Sequence, residues 1–215
     1  MTYNQLINNI IYYIIYYIYY LLMRIYILRH EERTIDCTFF APLTKKGLDK
    51  SLKLTNYLLS LNIDEIYCSP FIRTLQTIYP YINKTNKKLK LEYGLMEIKH
   101  ESIIPPKSHN VELPNYLAEF FNYDINYETL INTNEIKYPE NTNDLKNRIY
   151  FFLRHLIMNY YKTNKNILLV THQGVCNIIL KIINNLYNVT DNTEYPLGQL
   201  SLIFDNDKWI LKKIN

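Results

Sequence analysis

Ile167-Leu168-Leu169-Val170-Thr171-His172-Gln173-Gly174-Val175 carries the pattern around which the rest of the chain can be placed. Its first four residues form an unbroken apolar run, the pattern of a strand buried on both faces of a parallel sheet. A helical pattern over Val175–Leu186 follows at once, with Gly174 at its opening. Parallel strands need crossover connections, usually helices, so the flanking sequence must supply both more strands and more helices.

It does so on either side. Ile25–Leu28 reads as a short apolar strand, and Thr44–Leu48 leads into a helix with Leu48, Leu52, Leu54, Leu58, Leu59 and Leu61 at helical intervals. Asp64–Cys68 reads as a second strand. Ser69 as N-cap and Pro70 at the first helical position predict a helix start that sets Arg73 on the first turn. Leu89–Glu92 suits a third, exposed strand, and His100–Tyr138 is irregular apart from a short helix over Pro114–Asn122. Asn141–Tyr161 reads as a helix, with Asp144 in its first turn and Leu145, Ile149, Phe152, Leu153 and Leu156 on one face. Leu200–Phe204 and Lys208–Lys212 form a strand pair around Asp205-Asn206-Asp207. This alternation predicts an α/β domain, a three-layer α/β/α sandwich around a mostly parallel central sheet. The domain spans 23–215, with a covering insert at about 100–139.

Composition narrows the function classes. A chain of 215 residues buries a sizeable core, and a net charge of +4 with interleaved signs leaves no nucleic-acid footprint. Cys37, Cys68 and Cys176 are odd in number and show no CxxC spacing, which points to a reducing, cytoplasmic setting with the thiols as buried filler. Ile10–Met23 carries no charge, but it is shorter than the roughly 20 residues a membrane span needs. As a helix it would put Ile7, Ile11, Ile14, Ile18 and Leu21 on one seam, fit to lie on a membrane, a partner or its own domain. A competing reading takes Met23 as the natural start, with residues 1–22 a tyrosine- and isoleucine-rich extension outside the domain.

The chemically capable residues cluster where such a sheet binds ligands, beyond the carboxyl ends of its strands. Arg29-His30 follows the first strand, Ser69 and Arg73 the second, and Thr171-His172 the apolar run. Three loops therefore aim two imidazoles and two guanidiniums at one rim, an anion site reinforced by helix N-termini.

Three motifs in these loops resemble those of the histidine phosphatase (phosphoglycerate mutase-like) superfamily. They are Arg29-His30-Glu31-Glu32, then Ser69-Pro70-Phe71-Ile72-Arg73-Thr74-Leu75-Gln76-Thr77, then Thr171-His172-Gln173-Gly174. The resemblance covers about residues 24–205. The strings Arg29–Asp36 and Glu92–Glu97 are most similar to the eukaryotic branch that contains the phosphatase domain of the suppressor-of-T-cell-receptor-signalling proteins. It implies a phosphomonoester hydrolase, with a phosphoglycerate mutase-type phosphotransferase or a catalytically weak scaffold of the same fold as alternatives. The expected partner is a phosphorylated small molecule or phosphoprotein.

By the resemblance, His30 is the nucleophile and becomes a phosphohistidine, while Arg29, Arg73 and His172 bind the phosphoryl oxygens. Arg33 adds a contact, and Glu97 is the proton donor, with Glu92, Glu101 and Glu112 as the other carboxylates that fit that place. No metal or cofactor is implied. Nearby guanidiniums should hold His30 neutral. His100, His109 and His155 carry no motif, and Glu140 with Arg148 suggests a supporting ion pair. Two positions depart from the family pattern, Glu31 and Gln173, where the family has glycine. Activity then requires that the Glu31 side chain turn away from the phosphate.

Overall fold

The computed structural model describes residues 23–36, 38–101, 104–106, 111–187, 194–205 and 207–215. The N-terminal extension, Cys37 and His109 lie outside them. Six strands form one sheet in the order β3-β2-β4-β1-β5-β6. These are β1 (Arg24–Arg29), β2 (Glu65–Cys68), β3 (Lys90–Leu91), β4 (Asn166–Thr171), β5 (Leu200–Asp205) and β6 (Lys208–Lys213). β3, β2, β4 and β1 run parallel, and β5 runs against both of its neighbours. The helices are α1 (Lys45–Ser60), α2 (Ile72–Thr85), the short α3 (Asn115–Phe120), α4 (Thr142–Tyr160) and α5 (Gln173–Tyr187). α1 packs on α2 and α4 packs on α5, giving two helical layers on the sheet. None of the described helices is long and apolar enough to cross a membrane.

The apolar run that decided the fold becomes β4, bonded in parallel to β1 on one side and β2 on the other. Ile167, Leu168, Leu169 and Val170 are fully buried, and each side chain contributes about 2 kcal/mol of burial. The register sets Leu28 beside Val170 and Arg29 beside Thr171, with Cys68 on the other flank of Val170. The three strands therefore end level, and the chemistry-bearing loops leave side by side. Cys68 and Cys176 are buried beneath them, and burial pushes both thiols up.

Three local expectations are corrected. Leu48 and Leu52 face solvent, at 43% and 61% exposure, while Leu54 and Leu58 are buried. The inward face of α1 also carries Gly47, Ser51 and Thr55, small residues that let the helix approach closely. A Cβ on Gly47 would lie 2.2 Å from the Glu32 carbonyl oxygen, and the two hydroxyls donate to carbonyls one turn back. Glu92 does not sit on an exposed strand but is fully buried, for reasons given below. Ser69 does not cap α2. The helix begins at Ile72, with Phe71 at its N-cap position and no capping side chain, because the serine hydroxyl is bonded elsewhere. Arg73 nevertheless falls on the first turn.

Candidate active site

β1 delivers Arg29 and His30 to the rim, and the backbone N–H of His30 still donates to the Thr171 carbonyl at 2.9 Å. The imidazole is 4% exposed. Its Nδ1 lies 2.7 Å from the Glu31 carbonyl oxygen. A carbonyl only accepts, so Nδ1 carries the proton and Nε2 keeps its lone pair. Burial first, then the Arg73 guanidinium, holds the pKa of His30 down at about 3. The ring is therefore neutral at physiological pH, as expected, with burial the larger cause.

The loop at the end of β2 and the start of α2 binds the His30 loop at several points. Thr77 Oγ1 accepts from the Glu31 N–H at 3.0 Å, and Gln76 Oε1 accepts from the Leu43 N–H at 2.7 Å. Thr74 closes its own turn by donating to the Ser69 carbonyl at 2.7 Å. Arg73 is buried, with its guanidinium 4.3 Å from the Phe71 ring centre and Nη1 donating to the Thr38 carbonyl at 2.8 Å. The Ser-Pro-x-x-Arg-x-x-Gln-Thr string thus couples the two strand ends residue by residue.

His172 follows β4 and is fully buried. Its Nε2 lies 2.8 Å from Ser69 Oγ, and its ring centre is 5.3 Å from that of His30. Burial and then Arg73 hold its pKa well below the usual value, so it is neutral rather than one of the site's cations. Its Nδ1 and the Arg29 Nε are buried without a hydrogen-bond partner among the described residues. Arg29 Nη1 donates to the Tyr195 carbonyl at 2.5 Å.

Glu97 comes from the irregular segment after the Tyr93–Leu95 turn of 3-10 helix. Its Oε1 accepts from the Ile98 N–H at 3.0 Å and its Oε2 from the Gly174 N–H, in the first turn of α5, at 3.2 Å. A Cβ on Gly174 would lie 2.3 Å from Glu97 Oε1, so the carboxylate keeps this position only beside glycine.

These groups surround a cavity of about 240 Å³ lined by Arg29, His30, Glu32, Arg33, Arg73, Glu97, Gln173 and Leu197. Of the residues expected at the site, Arg29, His30, Arg33, Arg73 and Glu97 line it, and His172 does not, although its ring lies beside that of His30. Glu92 is not there. Its carboxylate accepts from the N–H groups of Gly94 and Leu130 and from the hydroxyls of Tyr127 and Thr129, so it is spent on holding chain turns together. Those bonds draw residues 127–131 onto the β3 side, and among the described residues none of 100–139 lines the cavity. Glu101 and Glu112 are exposed and away from it, as are His100 and His155.

Glu31 turns away from the cavity. Its buried carboxyl packs on Gly198, where a Cβ would lie 1.9 Å from Oε1, and burial raises its pKa. Gly198 has φ of +65°, a conformation glycine adopts without strain, and its N–H donates to the His30 carbonyl. The turn bearing Leu197 was missed from sequence. Its contribution is backbone and an apolar side chain, for which no motif exists. Among the described residues no group of three or more His, Cys, Asp or Glu side chains is placed to hold a metal ion. A larger cavity of about 440 Å³ lies beside α4, but its charged groups are already bonded, Lys137 to Asp144, Arg148 to Glu140 and Glu135 to the Asn132 N–H.

No curated protein matches the chain. Among solved structures, the ecdysone phosphate phosphatase of the silkworm Bombyx mori superposes with a TM-score of 0.69 at 14% identity, over 88% of this chain and 92% of that one. The α-ribazole phosphatase of Shigella flexneri gives 0.61 at 19% identity, over 90% and 96%. A phosphoserine phosphatase variant from Entamoeba histolytica gives 0.59 at 18%, over 90% and 97%. At these identities the likeness shows a shared fold. The sequence itself goes further, because residues 26–215 match the model of the histidine phosphatase superfamily (branch 1). With that match running from β1 to the chain's last residue, this chain belongs to the histidine phosphatase superfamily.

Proposed function

We propose that the chain is a phosphomonoester hydrolase that works through a phosphohistidine on His30. The observation that carries this reading is the state of His30. It is a neutral imidazole with Nδ1 tied to the Glu31 carbonyl and Nε2 left for a cavity walled by three guanidiniums and the carboxylates of Glu32 and Glu97. Nε2 attacks phosphorus, the P–N bond forms, and the bond to the ester oxygen breaks. Arg29, Arg33 and Arg73 take up the charge on the phosphoryl oxygens. His172 supplies a neutral N–H from Nδ1, with Ser69 donating to Nε2; the lone Nδ1 and Arg29 Nε are donors that an oxyanion satisfies. Glu97 protonates the leaving oxygen, then takes a proton from the water that cleaves the P–N bond and releases phosphate.

The substrate is a phosphorylated small molecule or a phosphorylated protein side chain presented at the mouth of the cavity. Glu31 supports an active enzyme, since its side chain faces Gly198 rather than phosphate. Hydrolysis of p-nitrophenyl phosphate by the wild type beside His30→Ala tests the reading. A rate that His30→Ala abolishes is expected, and equal inertness of the two would refute it. Adding 3-phosphoglycerate with a bisphosphate primer separates hydrolysis from phosphate return to a sugar acid, as a mutase requires.

A further inference from the structure

We propose that Arg148 and Glu140 are positioning residues that hold the Glu97 segment at the rim, an inference that rests on Glu97 being the proton donor. Glu97 is carried by a stretch without regular structure, so no ladder of hydrogen bonds fixes its backbone. The pair does so instead. Arg148, on α4, donates Nε to Glu140 Oε1 at 2.8 Å and Nη2 to Glu140 Oε2 at 2.7 Å. Its Nη1 donates to the carbonyls of Gly94 at 2.7 Å and Met96 at 3.1 Å.

Glu140 closes the far side. Its Oε2 accepts from the Lys99 N–H at 3.1 Å, and its own N–H donates to the Lys99 carbonyl at 2.9 Å. The chain is therefore pinned at Met96 and at Lys99, with Glu97 between the pins. The guanidinium is a rigid plane, so a two-point grip on the Glu140 carboxylate also sets where the third nitrogen aims. A lysine reaches neither geometry at once.

Stability alone does not account for the pair. Both side chains are buried, at 5% and 1% exposure, and apolar residues of similar volume often serve a core equally well. What apolar residues cannot do is hold the three backbone groups that frame Glu97.

The test uses the purified full chain and two substrates. p-Nitrophenyl phosphate has a leaving group that departs without a proton, whereas glycerol 2-phosphate releases an alkoxide that needs one. Glu140→Leu with Arg148→Met should fold, with a melting temperature lowered by the three backbone groups it leaves unbonded. It should lose ~100-fold in kcat/KM on glycerol 2-phosphate, the cost of displacing a catalytic group by an ångström. Its kcat/KM on p-nitrophenyl phosphate should fall by less than ~5-fold, because hydrolysis of the phosphohistidine, which Glu97 also serves and both substrates share, does not enter that ratio. Arg148→Lys, which keeps the charge, should lose ~10-fold on the alkyl ester. A folded double variant with the wild-type ratio of alkyl to aryl rates would overturn the proposal. If the double variant does not fold, Arg148→Lys decides, and an unchanged ratio there overturns it. Failure of the underlying reading would look different: Glu97→Gln would then leave the ratio of alkyl to aryl kcat/KM at its wild-type value.

Discussion

Gly174→Ala adds one methyl group next to the proposed acid. On the existing backbone the new Cβ would lie 2.3 Å from Glu97 Oε1 and 3.2 Å from its carboxyl carbon, where ordinary contact begins near 3.4 Å. The carboxylate must therefore retreat by about 1 Å, abandoning the Gly174 N–H that it now accepts from. Gly174 has no positive φ, so alanine takes its backbone without strain, and in a first helical turn it favours helix by up to ~1 kcal/mol. The fold should hold while the acid moves. A displacement of that size costs on the order of 100-fold in rate. The assay is kcat/KM on glycerol 2-phosphate and on p-nitrophenyl phosphate, which reports transfer to His30 and not the later hydrolysis, with a thermal melt of the same sample. The alkyl ester should suffer by about that factor and the aryl ester far less. A Gly174→Ala enzyme with wild-type rates on both would refute the placement of Glu97 as the acid.

Two further outcomes follow from the site. His30 titrates at about 3 in the folded protein against 6.5 for the ordinary side chain, so the unfolded chain binds its proton first. The stability tied to this group is complete above pH 6.5 and is lost as pH falls toward 3, at about 1.4 kcal/mol per pH unit. Urea unfolding at pH 6.5 and pH 5 should show the wild type losing roughly 2 kcal/mol more than His30→Asn; equal losses would contradict a buried, neutral His30. Glu31→Gln replaces a carboxyl of raised pKa that faces Gly198 and not the cavity, so kcat should be unchanged. A loss of about tenfold or more would place the Glu31 side chain at the phosphate.

Much of the fold and most of the site were legible because their signals are contiguous. The β4 run, the helix after it and the three strand-end motifs each lie within a few residues, where periodicity and side-chain chemistry can be read directly. What escaped depends on partners distant in the chain. Ser69 satisfies the local rule for a helix cap, yet its hydroxyl is taken by His172, 103 positions on. Leu48 and Leu52 keep helical spacing, but the close approach of α1 to the Glu32 carbonyl at Gly47 puts small residues inside and leaves those leucines in water. Glu92 has the composition of an exposed strand end and is buried only because residues 127–131 wrap donors around it. The same separation hid Leu197 and Gly198, which reach the rim from the far end of the chain. The Glu140–Arg148 pair was visible as a suggestion, but its grip on Gly94, Met96 and Lys99 was not.

The central claim is that His30 Nε2 takes the phosphoryl group. Rapid mixing of the enzyme with a phosphomonoester, quenching in alkali and mass spectrometry of the His30 peptide test it directly. The expected result is a phosphate on His30 that is stable to alkali, lost in acid and absent from His30→Asn. Turnover with no phosphorylated His30 peptide, or with phosphate trapped on another residue, would contradict it.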